Sequence, residues 1–260
     1  MDAKTMEIGI QISSVRKYLQ TPGDVLDSFR KVSKIGYRNI QIQWISPDVP
    51  IEFINEALKE TNLKCIGTQE AYGEVISELD RFIETNLLWG GRYICAGGMG
   101  MTDFETEDGC LKVAENLNKA SARLKNTGMK MLFHMCFPNI TKIGDKTSLD
   151  ILLENTEKEV QMELDVYHLT RAGLDPAQWI YKVAGRMDLI HFKDYYINAD
   201  GKAVYTPVGQ GIRDWKNIFE ACGRTGVKYC FAEQEDWERD AFLCLAESYE
   251  YIKSNTAGCF

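Results

Sequence analysis

The feature that most constrains this chain is an alternation that does not stop. A short apolar run is followed by a stretch at helical spacing, and the pair recurs eight times within 260 residues. Strands are expected at 6–12, 38–44, 63–69, 93–96, 129–133, 160–164, 189–190 and 228–232. Helices are expected at 22–34, 51–61, 74–89, 108–126, 149–155, from Asp175-Pro176 onward, 215–224 and 239–253. In the first helix Val25, Leu26, Phe29 and Val32 share one face, whereas Ile40 and Ile42 alternate with Gln41 and Gln43 in the second strand. Strands separated by helices pair in parallel through right-handed crossovers. Eight such units close into a ring, so the expected fold is α/β, a single (β/α)8 barrel over residues 1–260. Gly36-Tyr37-Arg38, Gly128-Met129-Lys130 and Gly226-Val227-Lys228 repeat one shape, a glycine ending a helix before the next strand.

Composition removes several classes of function. The chain carries 38 acidic and 30 basic residues, a net charge of -8, with no basic stripe. That argues against nucleic acid and against an anionic membrane surface. No apolar run is long enough to span a bilayer, and MDAKTMEIGI does not read as a signal peptide. The eight cysteines form no CxxC pair, and Cys65, Cys95 and Cys230 fall inside strands as small apolar residues. A reduced, cytoplasmic protein is expected.

In a barrel of this kind the working face lies at the C-terminal ends of the strands. Here those ends carry Gln69 and Glu70, His134, Asp165 and His168, His191 with Lys193 and Asp194, and Glu233 with Glu235. The chain has only three histidines, and all three fall at this face on consecutive strands. Alone, Asp165 reads as a helix cap and His191 as a core residue; together the set reads as a site. Asp165, His191 and Glu233 form a mixed oxygen and nitrogen ligand set suited to one divalent metal ion, Mn2+, Mg2+, Co2+ or Zn2+. The simpler alternative is a salt bridge of Asp165 or Glu233 to Lys193.

The stretches IGIQISSVRKYL, SKIGYRNIQI, MELDVYHLTRAGLDPAQWI, DLIHFKD, TPVGQGIRDW and VKYCFAEQED resemble the sugar-phosphate isomerase/epimerase family with the xylose-isomerase-like barrel, which includes inosose dehydratases and ketose 3-epimerases. The resemblance implies a metal held by Asp165, His191, Glu233 and a fourth ligand after strand five, and a sugar contact from His168. The chain departs from the family at that fourth ligand: Asn139 stands where a glutamate is usual, and Cys136 where a second histidine is usual. An Asn carbonyl can ligate a hard cation but cannot accept a proton.

The family's reaction is proton removal beside a carbonyl, giving an enediolate on an isomerase or epimerase path. With Glu233 as one base, the opposite side is left to His134, Glu70 or Asp145, so a single-base isomerase or a β-elimination by a dehydratase or lyase competes with two-base epimerisation. Lys193 reads either as an acid for a leaving oxygen or, preferentially, as a charge partner of Asp194. The glycine loop 206–211 with Arg213 reads as a phosphate cradle or, preferentially, as a tight turn at the rim; Trp44 reads as a flat face for a sugar or as core. The implied partner is a small-molecule carbohydrate, and a homo-oligomer is compatible with the sequence. A barrel that has lost catalysis and only binds sugar or a partner subunit is the alternative, on the strength of Asn139.

Overall fold

The computed structural model describes residues 6–256. Nine strand pieces form one sheet: β1 Glu7–Gln11, β2 Asn39–Ile42, β3 Lys64–Ala71, β4 Tyr93–Gly97, β5 Lys130–His134, β6 Gln161–Met162, β7 Leu164–Asp165, β8 Leu189–Phe192 and β9 Tyr229–Ala232. Every pairing in it is parallel, in the order β6-β5-β4-β3-β2-β1-β9-β8-β7. The two ends of that order, β6 and β7, are halves of one expected strand separated only by Glu163. Closure therefore runs through a broken strand: β6 pairs with β5 and β7 with β8. The break has a cost in regular pairing, offset by the Glu163 N–H donating to the Phe133 carbonyl at 2.9 Å.

Helices α1 Pro22–Ile35, α2 Ile51–Thr61, α3 Tyr72–Ser77, α4 Leu79–Trp89, α5 Glu107–Leu124, α6 Ser148–Asn155, α7 Val166–Arg171, α8 Pro176–Lys182, α9 Trp215–Thr225 and α10 Ala241–Thr256 follow the strands. α1 opens on a capping box, with Thr21 and Asp24 exchanging side-chain and backbone bonds and Pro22 at the first position. The expected helix at 74–89 is two helices, because Glu78 leaves the helical region at φ -120, ψ 32. Gly36, Gly128 and Gly226 all have positive φ, as their repeated position before a strand predicts. Two antiparallel hairpins were not expected: 142–143 with 146–147, and Asp194–Ile197 with Ala203–Thr206. The second hairpin rises from the end of β8 over the mouth of the barrel.

The barrel interior is layered. Ile66, Tyr93, Cys95, Leu132, Leu189 and Phe231 pack its lower half. Asp188, below that layer, accepts hydrogen bonds from Tyr93 Oη at 3.0 Å, Lys130 Nζ at 2.6 Å and Lys228 Nζ at 3.1 Å, fastening four strand beginnings together. Outside, Phe192, Trp215 and Phe219 stack between sheet and helices; each buried aromatic contributes about 1.5–3 kcal/mol. Cys65, Cys95 and Cys230 are buried thiols as expected, and burial pushes the Cys65 thiol up to about 12. Cys259 lies outside the described residues. No helix among the described residues is long and apolar enough to cross a membrane.

Candidate active site at the mouth of the barrel

Register places the three histidines and the acids at one level. β8 sets His191 beside Asp165 of β7 and beside Phe231 of β9, two residues before Glu233. β5 ends on His134, opposite Gly97 of β4. Trp44, Glu70, His134, His168, Lys193 and Glu233 line one cavity of 170 Å3. Asp165 and His191 are buried beneath it.

Asp165 serves both readings made of it. Its Oδ1 caps α7, accepting from the N–H of Tyr167 at 2.6 Å and of His168 at 3.3 Å. Its Oδ2 is buried without a hydrogen-bond partner and faces the site. Ligand atoms of Asp165, His191 and Glu233 lie within 4.8 Å of one another, and so do those of His134, Asp165 and His168. His191 Nδ1 and Glu233 Oε2 are only 2.8 Å apart, yet they are not aligned as donor and acceptor, and neither makes a hydrogen bond. These three buried atoms make no hydrogen bond; their neighbours are one another and the Lys193 ammonium, 3.2 Å from Asp165 Oδ2 and from Glu233 Oε2, a cluster whose donor set also fits a divalent cation.

The reverse side of His191 is built for that role. Its Nε2 sits 2.7 Å from Gln41 Oε1 and 3.3 Å from Glu163 Oε1. Gln41 Nε2 in turn donates to both Glu163 oxygens, at 2.9 and 3.0 Å, and Gln11 Nε2 donates to Gln41 Oε1 at 3.2 Å. With a proton held on Nε2, Nδ1 is the nitrogen turned toward Asp165 and Glu233, and it would present a lone pair to an ion once its own proton has left. Sequence reasoning missed Gln41, Glu163 and Gln11. The available signal was QIQ at 41–43, at the end of β2: strands of a parallel barrel are covered on both faces, so a Gln at each alternate position points inward, not to bulk water.

Lys193 departs from the preferred reading. Asp194 is not its partner; that carboxylate accepts from Gly209 N at 3.0 Å, Gly211 N at 3.0 Å and Trp215 Nε1 at 2.7 Å. The glycine loop thus spends two of its N–H groups on Asp194, and the tight-turn reading of it holds. Lys193 Nζ instead enters the site, 3.2 Å from Asp165 Oδ2, 3.2 Å from Glu233 Oε2 and 2.7 Å from Glu235 Oε1. The salt bridge weighed against the metal reading is therefore present, and the ammonium stands among the candidate ligands. Tyr205 of the hairpin closes over it, donating to Glu235 Oε2 at 3.2 Å.

Two expected site residues lie elsewhere. Arg213 stacks on Tyr195, 4.2 Å from the ring centre, and does not line the cavity, because the hairpin carrying Tyr195 intercepts it. Asn139, expected as the fourth metal ligand, is turned to the loop after β4: its Nδ2 donates to the Met101 carbonyl at 2.6 Å and its backbone carbonyl accepts from Ser148 Oγ at 2.6 Å, while its side-chain Oδ1 is buried without a hydrogen bond. It ties two loops together and is absent from the cavity wall.

The electrostatics separate the acids. Burial opposes ionisation of Asp165, but Lys193, His168 and His134 outweigh it and hold its pKa well below the usual range. Glu233 is likewise brought to about 2, burial being overcome by Lys193 and His191. His191 rises to about 9, since Glu163 and Glu233 outweigh its burial. Glu70 behaves oppositely: burial lifts it to about 7, only partly offset by the Trp44 N–H at 3.3 Å. Cys136 falls to about 6, because His134 and His168 overcome burial of the thiolate.

The family model for the xylose isomerase-like TIM barrel matches residues 29–247. The chain belongs to that family. Among curated relatives, an inosose dehydratase of Geobacillus thermodenitrificans is 26% identical over 166 residues, 57% of this chain and 55% of the relative. The match thus spans about half the length of that relative. Solved members of the same fold superpose over nearly the whole chain. A sugar phosphate isomerase/epimerase from Parabacteroides distasonis has a TM-score of 0.77 at 21% identity, covering 95% of this chain and 98% of that one. A xylose isomerase-like TIM barrel protein from Mycobacterium smegmatis in complex with magnesium has a TM-score of 0.74 at 16% identity, covering 100% of both. The expectation of an α/β xylose-isomerase-like barrel is met in this chain.

Proposed function

We propose that this chain is a divalent-metal-dependent enzyme that moves a proton beside the carbonyl of a keto-sugar or keto-inositol, as an isomerase or epimerase. The observation that carries the reading is that buried ligand atoms of Asp165, His191 and Glu233 lie within 4.8 Å of one another and make no hydrogen bond, with the Lys193 ammonium paired to the two carboxylates. These three residues would hold the ion, and Asn139 is not needed to complete the set. A bound divalent ion would polarise a carbonyl oxygen and offset negative charge developing there.

The chain's own groups supply the rest. Glu233, at about 2, is a poor proton acceptor and suits the role of ligand. Glu70, at about 7 on the cavity wall, is tuned to take and return a proton near neutral pH. His134 is kept protonated by Asp165, 3.8 Å from its Nε2, although burial opposes it, and can donate a hydrogen bond to substrate oxygen. Tyr167 and Tyr205 pack beside Lys193, their ring centres 5.7 and 6.0 Å from its ammonium, and would shield it from water.

A second reading, dehydration, draws on the inosose dehydratase relative and on the acids at hand, since His134 or Lys193 can protonate a departing hydroxyl. Incubation with keto-sugars and keto-inositols and Mn2+ in D2O separates the outcomes. Deuterium at the carbon beside the carbonyl, lost in Asp165→Ala and Glu70→Gln, supports proton transfer, and loss of water from the product supports elimination. A chain that binds sugar yet exchanges no proton under any of these conditions is a binding protein, and the proposal fails.

A further inference from the structure

We infer that the reaction cavity continues into a second sugar-binding cleft, so that the substrate is a neutral disaccharide or glycoside rather than a lone monosaccharide. The inference rests on the sugar reading above and extends it. The reaction cavity measures 170 Å3, the liquid volume of about six waters, which is room for one sugar ring. Beside it lies a larger cleft of 580 Å3, which opens at the ends of β2 and β3 and runs outward between α2 and α4 past Ile54 and Phe82. The two share two walls, Trp44 and Glu70.

Trp44 is at the boundary because its backbone is strained. Its φ is +58, one of two non-glycine residues among those described with positive φ. Such a conformation costs a bulky residue about 1–3 kcal/mol and persists where surroundings impose it. Here the Glu70 carboxylate accepts the Trp44 N–H at 3.3 Å, while Arg16, anchored on the Glu235 carbonyl at 2.7 Å, lies 5.8 Å over the indole. The turn breaks the alternation of β2 and leaves the indole 38% exposed between the two cavities. A flat aromatic face at a junction is suited to the C–H face of a pyranose bridging both.

The chemistry of the cleft favours a neutral occupant. Its walls mix Ile45 and Trp89 with Glu70, Glu74 and Arg81, apolar faces beside hydrogen-bonding groups, as a polyol ring requires. The single guanidinium there is already spent: Arg81 pairs with Glu74 at 2.5 Å and with Glu78 at 2.7 Å. A phosphate placed in the cleft would meet Glu70 and Glu74, while Arg81 is committed to carboxylates and Arg16, outside the lining, is held on the Glu235 carbonyl.

The test is saturation-transfer NMR and calorimetry on the full chain with Mn2+, using neutral disaccharides, each component monosaccharide, and sugar phosphates. At least one disaccharide is expected to bind about 10-fold more tightly than either component, with transfer to protons of both rings. Ile45→Trp should fill the cleft and abolish that gain while leaving monosaccharide affinity within about two-fold. Glu74→Trp, at an exposed helix position, is the second variant should the first fail to fold. Equal affinity for disaccharides and their components, indifference to both variants, or preference for the sugar phosphate would overturn the inference while leaving the sugar reading intact. Absence of binding by every sugar would sink that reading itself.

Discussion

Replacing Lys193 by Met tests how the site balances its charge. The ammonium is 1% exposed and faces three carboxylates, those of Asp165, Glu233 and Glu235. Met keeps most of the volume and removes the one lysine charge, among the described residues, in contact with all three. Two of the carboxylates are buried, and removing one partner from a buried ionic set costs about 3–5 kcal/mol. For a chain of this size that lowers Tm by about 6–20 °C. The loss should appear fully in chelator and be recovered by Mn2+, because a divalent ion supplies the missing positive charge between Asp165 and Glu233; saturation at 100 times Kd returns about 2.7 kcal/mol. Wild type should gain less at the same Mn2+, since its ammonium must first move aside toward Glu235. Thermal unfolding with and without Mn2+, paired with a Mn2+ titration by electron paramagnetic resonance, reads both quantities. A variant as stable as wild type in chelator, or one with unchanged Mn2+ affinity, would refute the claim that ammonium and metal share one position.

Three further outcomes follow from the same geometry. Glu163→Gln should weaken Mn2+ binding about 10–100-fold, because the carboxylate behind Gln41 and His191 is lost while the cavity wall is unchanged; an unaltered Kd would show that His191 needs no support. Glu70→Gln should flatten stability against pH. Glu70 is raised from 4.5 to about 7, so between those values the native state holds a proton that the unfolded chain has released, and wild-type stability falls as pH climbs through the window. The difference approaches about 3 kcal/mol by pH 8, measurable by urea unfolding, and parallel pH profiles for both proteins would contradict it. Asp194→Asn should destabilise the mouth of the barrel by about 3 kcal/mol and loosen the loop at Gly209 and Gly211, read as faster amide exchange there; unchanged exchange would remove Asp194 as the loop's anchor.

Much of this was written in the linear chain. Periodicity determined eight strand–helix units, and their number forced the sheet to close, because each crossover is local and carries its own apolar face. The same linear text located His134, Asp165, His168, His191 and Glu233 at one rim, since a strand's last residues always point to the same edge. What periodicity cannot encode is which atoms face which across the ring. That Asn139 turns to Met101, that Lys193 leaves Asp194 for Asp165, and that Arg213 is captured by Tyr195 depend on contacts between segments far apart in sequence. Glu163 is the clearest case: it looked like one residue of an ordinary strand, and only closure of the barrel makes it the break through which the sheet joins and the carboxylate behind His191. Local propensity sets elements within a few residues, but a buried charge is placed by whatever partners the closed ring delivers to it.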